Sequence, residues 1–315
     1  MARPVAALTG ATGFLGRWAA AALHDQGFQV RVLCRRAPAP EDWGFEPQVE
    51  PGSLEDEASL VRLVDGAQVL VHAAGAIKAR DRAGFFRVNA EGARRLAQAL
   101  EEQAPGARML LVSSLSAREP HLSDYAASKA AGEAAVRKVL GERRLTVVRP
   151  PAIYGPGDRE TLAVFRAAGR LPVLPLPGGE HARLAMIHVA DAAAQIAALA
   201  SRPAEGAVYG LSDARPEGYG WREVMGQAAA AVGRARPRFV PLPRPAVLGV
   251  GAAAGVLGRA GGRVPILTPG KAREMLHPDW SLSESERAPD LPAPRFDLAA
   301  GFADTVAWYR RRGWL

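Results

Sequence analysis

The sequence predicts an α/β protein: a doubly wound parallel sheet with a smaller, partly discontinuous C-terminal lobe. Three observations predict it. Short apolar runs alternate with helical patterns through the first half of the chain. Those runs are continuous, so their strands are buried on both faces, as in a parallel sheet. After Pro150 the texture shifts to frequent Pro and Gly, as in RPPAIYGPGDR and LPVLPLPGGEHARL, which marks a second region.

The elements follow in order. VAALT reads as a strand and FLGRWAAAALHDQG as a helix. FQVRVLC is a strand, and EDEASLVRLVDG is a helix with an acidic start. QVLVHAA, ARMLLVSS and LTVVRP are further strands, separated by the helices AGFFRVNAEGARRLAQALEEQ and DYAASKAAGEAAVRKVLGE. Right-handed crossovers wind such units into an open sheet covered on both sides. A later unit, AMIHVADAAAQIAALAS, is expected to rejoin this first domain, with AVYGLSD beside it. The remainder has a Pro-rich entry, RPRFVPLPRPAV, and ends in an amphipathic helix, DLAAGFADTVAWYRRRGWL. The expected domains are residues 1–155 plus about 186–213, and residues 156–185 plus 214–315.

With 315 residues the chain can bury a substantial core. Hydrophobic residues make up 48% and charged residues 23%, which suits a globular chain. Lys+Arg exceed Asp+Glu by 40 − 32 = 8, yet the arginines are scattered among Ala, Pro and Gly. No basic run with interleaved aromatics argues for nucleic acid. A basic cleft would suit an anionic cofactor. The single cysteine, Cys34, excludes an internal disulfide and fits a reducing, cytoplasmic setting. MARPVAALTG carries no apolar run of signal-peptide length. PAVLGVGAAAGVLG, from Pro245 to Gly258, is too short and Gly-rich for stable membrane insertion. It reads as a core or pocket-lining helix, with contact at a membrane surface as the lesser alternative.

LTGATGFLGRW places Gly10, Gly13 and Gly16 directly after the first strand and at the start of a helix. Gly10 allows the tight turn, Gly13 lets backbone approach a pyrophosphate, and Gly16 lets the helix pack close to the strand. The helix N-terminus offers free N–H groups and a positive dipole end to phosphate. The second strand ends VRVLCRR. An acid there would bind a ribose 2′-OH, whereas Arg35 and Arg36 can bind a 2′-phosphate bidentately. NADP(H) is therefore expected ahead of NAD(H).

Tyr125 and Lys129 stand four apart on an expected helix, so they share a face. A tyrosine titrates near pH ~10, and a neighbouring ammonium favours its phenolate. Such a tyrosine can give a proton to a carbonyl oxygen or take one from an alcohol. Ser113 and Ser114 end the preceding strand, at the carboxyl edge where open parallel sheets bind ligands. Either hydroxyl could polarise the reacting oxygen.

The motifs TGATGFLG, HAAG, VNAEG, VSS, YAASK, RPPAIYGPGD and IHVADAA occur in the order of the extended short-chain dehydrogenase/reductases, which the chain resembles over about residues 4–212. These are the NAD(P)-dependent, Rossmann-type epimerase/dehydratase group. The resemblance implies that Tyr125 is the acid-base and that Lys129 tunes it and holds the nicotinamide ribose. It implies that Ser114 binds the substrate oxygen, with Ser113 as the alternative, and that Asn89 takes a structural and proton-relay position. Thr12, Phe14 and Leu15 would join the glycines of the phosphate turn around the cofactor. Ala73, Ala74 and Gly75 would line it, and Pro150 through Ala152 and Ile153 would wall the nicotinamide. Homodimerisation through two helices of the first domain is a further implication. His72, His188 and Asp191 read as structural, the last as a cap for the following helix.

Departures from the family pattern narrow the function. Gly52-Ser53-Leu54 stands where the family often has Gly-Asp-Leu facing the adenine. The segment LSAREPHLSD is shorter than the corresponding loop of sugar-nucleotide enzymes. Arg159, Arg166, Arg170 and Arg183 could clamp an anion, or could be scattered surface residues. The second lobe and LTPGKAREMLHPDW resemble the hydroxysteroid dehydrogenase and dihydroflavonol reductase branch. The expectation is an oxidoreductase acting on a carbonyl or secondary alcohol of a small, rather apolar substrate, without a metal. A nucleotide-sugar epimerase or dehydratase is the first alternative. A non-catalytic NADP-binding sensor or assembly protein is the second.

Overall fold

The computed structural model describes residues 2–36, 43–178, 182–260 and 267–315. The chain begins β1 (Val5–Thr9), α1 (Phe14–Asp25), β2 (Gln29–Cys34), β3 (Gln48–Pro51), α2 (Glu57–Val64) and β4 (Val69–His72). It continues α3 (Arg82–Phe86), α4 (Ala93–Gln103), β5 (Arg108–Val112), α5 (Asp124–Leu140) and β6 (Leu145–Arg149). Then come β7 (Ala152–Tyr154), α6 (Leu162–Arg170), β8 (Val173–Pro177), β9 (Arg183–Leu184), β10 (Met186–His188) and α7 (Val189–Ala200). The last elements are β11 (Val208–Gly210), α8 (Trp221–Ala231), β12 (Arg238–Leu242), α9 (Arg244–Ala260), α10 (Pro269–Met275), β13 (Asp279–Trp280) and α11 (Leu298–Arg311).

Two compact units emerge. The first comprises residues 1–150, 192–211 and 288–292. Its seven-stranded sheet runs β3-β2-β1-β4-β5-β6-β11, all pairs parallel. This is the doubly wound order, and it reverses direction between β1 and β4. The central strands are largely apolar because both faces are covered: all four residues of β4 are buried, whereas none is in the edge strand β3. Leu60, Leu63, Leu70, Leu96, Leu100 and Met109 lead one continuous core. At the reversal Thr9 lies opposite His72, so the segments after β1 and β4 leave the sheet side by side.

The second unit comprises residues 151–191, 212–287 and 293–315. It has three two-stranded parallel sheets: β7 with β10, β8 with β12, and β9 with β13. Aromatic rings join them. Phe302 of α11 meets Tyr154 at 4.8 Å and Phe165 at 4.9 Å between centroids, in edge-on geometry. The Tyr309 hydroxyl donates to the Asp158 carbonyl at 2.6 Å.

Four expectations are corrected. The strand MIH does not enter the large sheet, because its three residues pair with β7 instead; VYG does enter it, beside β6. Asp191 does more than begin a helix: its carboxylate accepts the backbone N–H of Arg295 (3.0 Å) and Phe296 (3.1 Å) and so fixes the approach to α11. The helix expected over AGFFRVNAEGARRLAQALEEQ contains a π-helical stretch, Arg87–Gly92, between α3 and α4. Finally, PAVLGVGAAAGVLG, read as a core or pocket-lining helix, enters a core only through one stripe, where Val247 joins Ala272 and Leu276. Val247 is buried, but Ala246, Leu248 and Val250 of α9 are exposed.

Candidate active site

The carboxyl ends of β1, β4 and β5 gather most of the expected residues in the first unit. Gly10 adopts φ +80°, open to glycine and strained for other residues. A Cβ there would fall 2.6 Å from the Ala74 nitrogen, so the turn lies directly on the segment after β4. A Cβ on Gly16 would fall 1.9 Å from the Gly10 carbonyl oxygen, which demands a bare backbone at the start of α1. Gly13 caps α1 without a side-chain acceptor. Thr12 and Gly13 are exposed, with Phe14 and Leu15 half-buried behind them. The first amides of α1 thus form a cradle of the kind that takes phosphate. Trp43 braces it from the side, its indole N–H donating to Ala11 O at 3.3 Å.

Arg35 and Arg36 are exposed at the end of β2. Ser53 and Leu54 follow β3. The Ser53 hydroxyl accepts from Glu55 N at 3.2 Å, and Leu54 packs where a Cβ on Gly92 would come within 3.0 Å of it. His72 is buried and bonded through Nδ1 to the Thr9 hydroxyl at 2.6 Å, and that hydroxyl also accepts from Ala74 N at 3.3 Å. Burial, helped by the Lys129 charge, pushes the His72 pKa down to about 3, so it stays neutral and structural.

Asn89 occupies the middle of the π-helical stretch, a local widening that often accompanies functional positions. Its side chain is held at both ends: Oδ1 accepts from Ala76 N at 2.8 Å, and Nδ2 donates to Ala76 O (3.0 Å) and Ser128 Oγ (2.9 Å). It pins the segment after β4 to α5. The Ser128 hydroxyl in turn donates to the Tyr125 carbonyl at 2.7 Å. Helix α5 lies so close here that a Cβ on Gly132 would stand 2.3 Å from the Asn89 carbonyl oxygen.

Helix α5 starts firmly, since the Ser123 hydroxyl accepts from Ala126 N at 3.0 Å. Tyr125 sits in the first turn, half-buried, with the Phe85 ring edge-on at 6.2 Å. One turn on, Lys129 is buried and its ammonium donates to the Val112 carbonyl at 3.0 Å, at the end of β5. A Cβ on Gly75 would lie 2.9 Å from the same ammonium and 3.2 Å from Asn89 Oδ1. Burial lowers the Lys129 pKa to about 8, against a pull upward from Glu133.

The two serines differ. Ser113 is buried and donates a short hydrogen bond to Glu133, which is also held by Arg149 at 2.6 Å. Ser114 is half-buried and caps a short 3-10 turn, accepting from Ser116 N at 3.2 Å. Pro150 closes this edge by accepting from Leu115 N at 2.8 Å. Ala152 and Ile153 belong to the second unit, on β7. So the structure brings together the phosphate turn, Ala73–Gly75, Asn89, Ser113 and Lys129. Glu133, Ser128 and Gly132 went unnoticed in the sequence. Spacing offered a signal for Glu133 alone: Tyr125, Lys129 and Glu133 repeat every four residues on one helical stripe. Among the described residues no cluster of His, Cys, Asp or Glu could hold a metal ion. No described helix is long and apolar enough to cross a membrane.

Comparison with known proteins places this geometry. The model of the NAD dependent epimerase/dehydratase family matches residues 6–211. A ceramide reductase of Caulobacter vibrioides is 50% identical over 315 residues, 100% of this chain and 97% of that protein. The 4-hydroxy-2-methyl-3-oxo-4-farnesyl-3,4-dihydroquinoline-1-oxide ketoreductase of Stigmatella aurantiaca is 31% identical over 230 residues, 66% of this chain and 68% of that protein. In fold alone, UDP-glucose 4-epimerase from Bifidobacterium longum, solved with NAD+ and UDP, is similar with a TM-score of 0.72 at 16% identity, covering 98% of this chain and 99% of that one. The chain belongs to the NAD-dependent epimerase/dehydratase family, the extended short-chain dehydrogenase/reductases that its motifs resemble.

Proposed function

We propose that this chain is an NADP(H)-preferring reductase acting on a carbonyl, or in reverse a secondary alcohol, of a long-chain lipid of the ceramide kind. The observation that carries it is the buried Lys129 ammonium, one helical turn from Tyr125 and bonded to the last residue of β5. The bare-backbone cradle fits a dinucleotide: Gly10, Gly13 and Gly16 each stand where a side chain would obstruct it or the turn. When bound, the dinucleotide supplies or accepts the hydride.

The chain's own residues do the rest. Gly10, Thr12 and Gly13, with Phe14, Leu15 and Gly16 behind them, hold the pyrophosphate on the α1 amides. Arg35 and Arg36 take the 2′-phosphate, and Ser53 and Leu54 border the adenine. Ala73, Ala74, Gly75 and Pro150 to Ile153 line the remainder. Ser114 donates to the substrate oxygen, because the Ser113 hydroxyl is committed to Glu133. The Tyr125 hydroxyl delivers its proton to that oxygen as the carbon gains hydride, so a carbonyl becomes an alcohol. Lys129 stabilises the phenolate left behind and anchors the ribose. Asn89 holds the segment after β4 against α5 and stands in the proton-relay position. Substrate choice falls to the second unit. The ceramide reductase and ketoreductase relatives support a bulky apolar substrate.

The test is to mix the protein with NADPH or NADH and a long-chain lipid ketone in detergent micelles. The reading predicts stoichiometric NADPH consumption with alcohol formed, and a preference over NADH that Arg35→Ser/Arg36→Ser reduces about tenfold. Isomerised or dehydrated product without net NADPH loss would overturn the reductase reading. Equal use of NADH would overturn the cofactor preference.

A further inference from the structure

Helix α9 breaks the usual rule for a surface helix. Its buried stripe is narrow: Val247, Gly251 and Gly255 lie at four-residue intervals. A Cβ on Gly251 would fall 2.8 Å from Ala272 Cβ, so this stripe packs on α10. The opposite face should then be polar. Instead Pro245, Ala246, Leu248, Gly249, Val250, Ala252 and Ala253 are exposed, without one polar side chain between Arg244 and Gly255. Val250 is 56% exposed and Leu248 38%. The strand leading into the helix adds Val240, 42% exposed, and its partner strand adds Val173, 37% exposed. Of the seven large hydrophobics exposed among the described residues, four lie on α9, β12 or β8, and Leu171 precedes β8 by two residues.

Charge says what covers this face. From Val224 to Arg273 the sequence has no Asp or Glu. Arg236, Arg238, Arg244 and Arg273 within that span are exposed, as is Lys271, whose ammonium pairs with Glu274 at 3.1 Å. A second copy docking symmetrically would bring these cations face to face, which opposes self-association. An anionic lipid surface complements them. Basic side chains are attracted to such a surface, while apolar side chains sink into the headgroup boundary.

We propose that α9 and the end of β12 form a docking face for an anionic phospholipid bilayer, with the helix lying in the interface plane. None of its residues is among those assigned to proton transfer, and its test reads partition rather than turnover.

The full chain is floated with vesicles of phosphatidylcholine containing about 30% phosphatidylglycerol, and with phosphatidylcholine alone. Wild type is expected to float with the anionic vesicles and to partition about tenfold less onto neutral ones or at high salt. Leu248→Glu/Val250→Glu is expected to lose about tenfold in partition with NADPH affinity and thermal midpoint unchanged. Wild type remaining with the unbound fraction, or the double variant floating equally well, would overturn the proposal. So would a dimer, dissociated by the same substitutions, that binds no vesicle.

Discussion

In the first unit, most strands pair with a neighbour close in sequence, β11 excepted: Val5 lies opposite Gln29, and Met109 opposite Leu145. In the second, pairing joins remote pieces: Val173 lies opposite Arg238, and Arg183 opposite Asp279. In the first, glycines let backbone segments touch at the sheet's carboxyl edge, Gly10 on Ala74 and Gly132 on Asn89. The second is closed by rings, with Phe302 between Tyr154 and Phe165. The proposed chemistry, which needs atoms held to a fraction of an ångström, falls on the regular unit. The irregular one is free to vary around its aromatic cluster.

The largest expected effect tests the ring closure. Phe302→Ala removes a side chain that is 1% exposed and should cost about 3–5 kcal/mol, read as a fall in the denaturant midpoint. A loss under about 1 kcal/mol would mean that the aromatic cluster does not organise this unit. Backbone closure is tested next by Gly16→Ala. Its Cβ meets the Gly10 oxygen, so NADPH affinity should fall about a hundredfold, while Gly106→Ala, with nothing within 4 Å, leaves it unchanged. Equal affinities would show that the turn does not need a bare backbone.

Two titrations sharpen the contrast further. Lys129 has its pKa lowered to about 8, so its charge is present below that pH and lost above it. Turnover that depends on this ammonium should fall as pH rises through about 8, and a profile flat to pH ~10 would remove Lys129 from the reaction. For His72 the folded pKa is about 3 against an ordinary 6.5. Between these values the unfolded chain binds more protons, so stability declines as pH drops from 6.5 toward 3, by at most roughly 1.4 kcal/mol per pH unit. His72→Asn should flatten that slope in pH-dependent urea unfolding.

Much of this contrast was legible in the sequence. The phosphate turn and the Tyr125–Lys129 pair lie within eleven-residue stretches, where spacing alone implies geometry. The parallel sheet announced itself through buried apolar runs. What stayed hidden depends on contacts distant in sequence. Gly132 matters because α5 touches Asn89, and Ser113 is committed only because Glu133 reaches it across the end of β5. Strands β9 and β13, two residues each, are too short to leave a pattern. Helix α9 misled because an apolar run implies burial, whereas its glycine stripe buries only one side.

The central claim is that Tyr125 transfers the proton. Tyr125→Phe keeps the ring beside Phe85 and removes only the hydroxyl. With NADPH and a long-chain lipid ketone, single-turnover reduction should slow by about 10²–10⁴-fold while NADPH affinity stays within about twofold of wild type. Reduction at the wild-type rate by Tyr125→Phe would contradict the account.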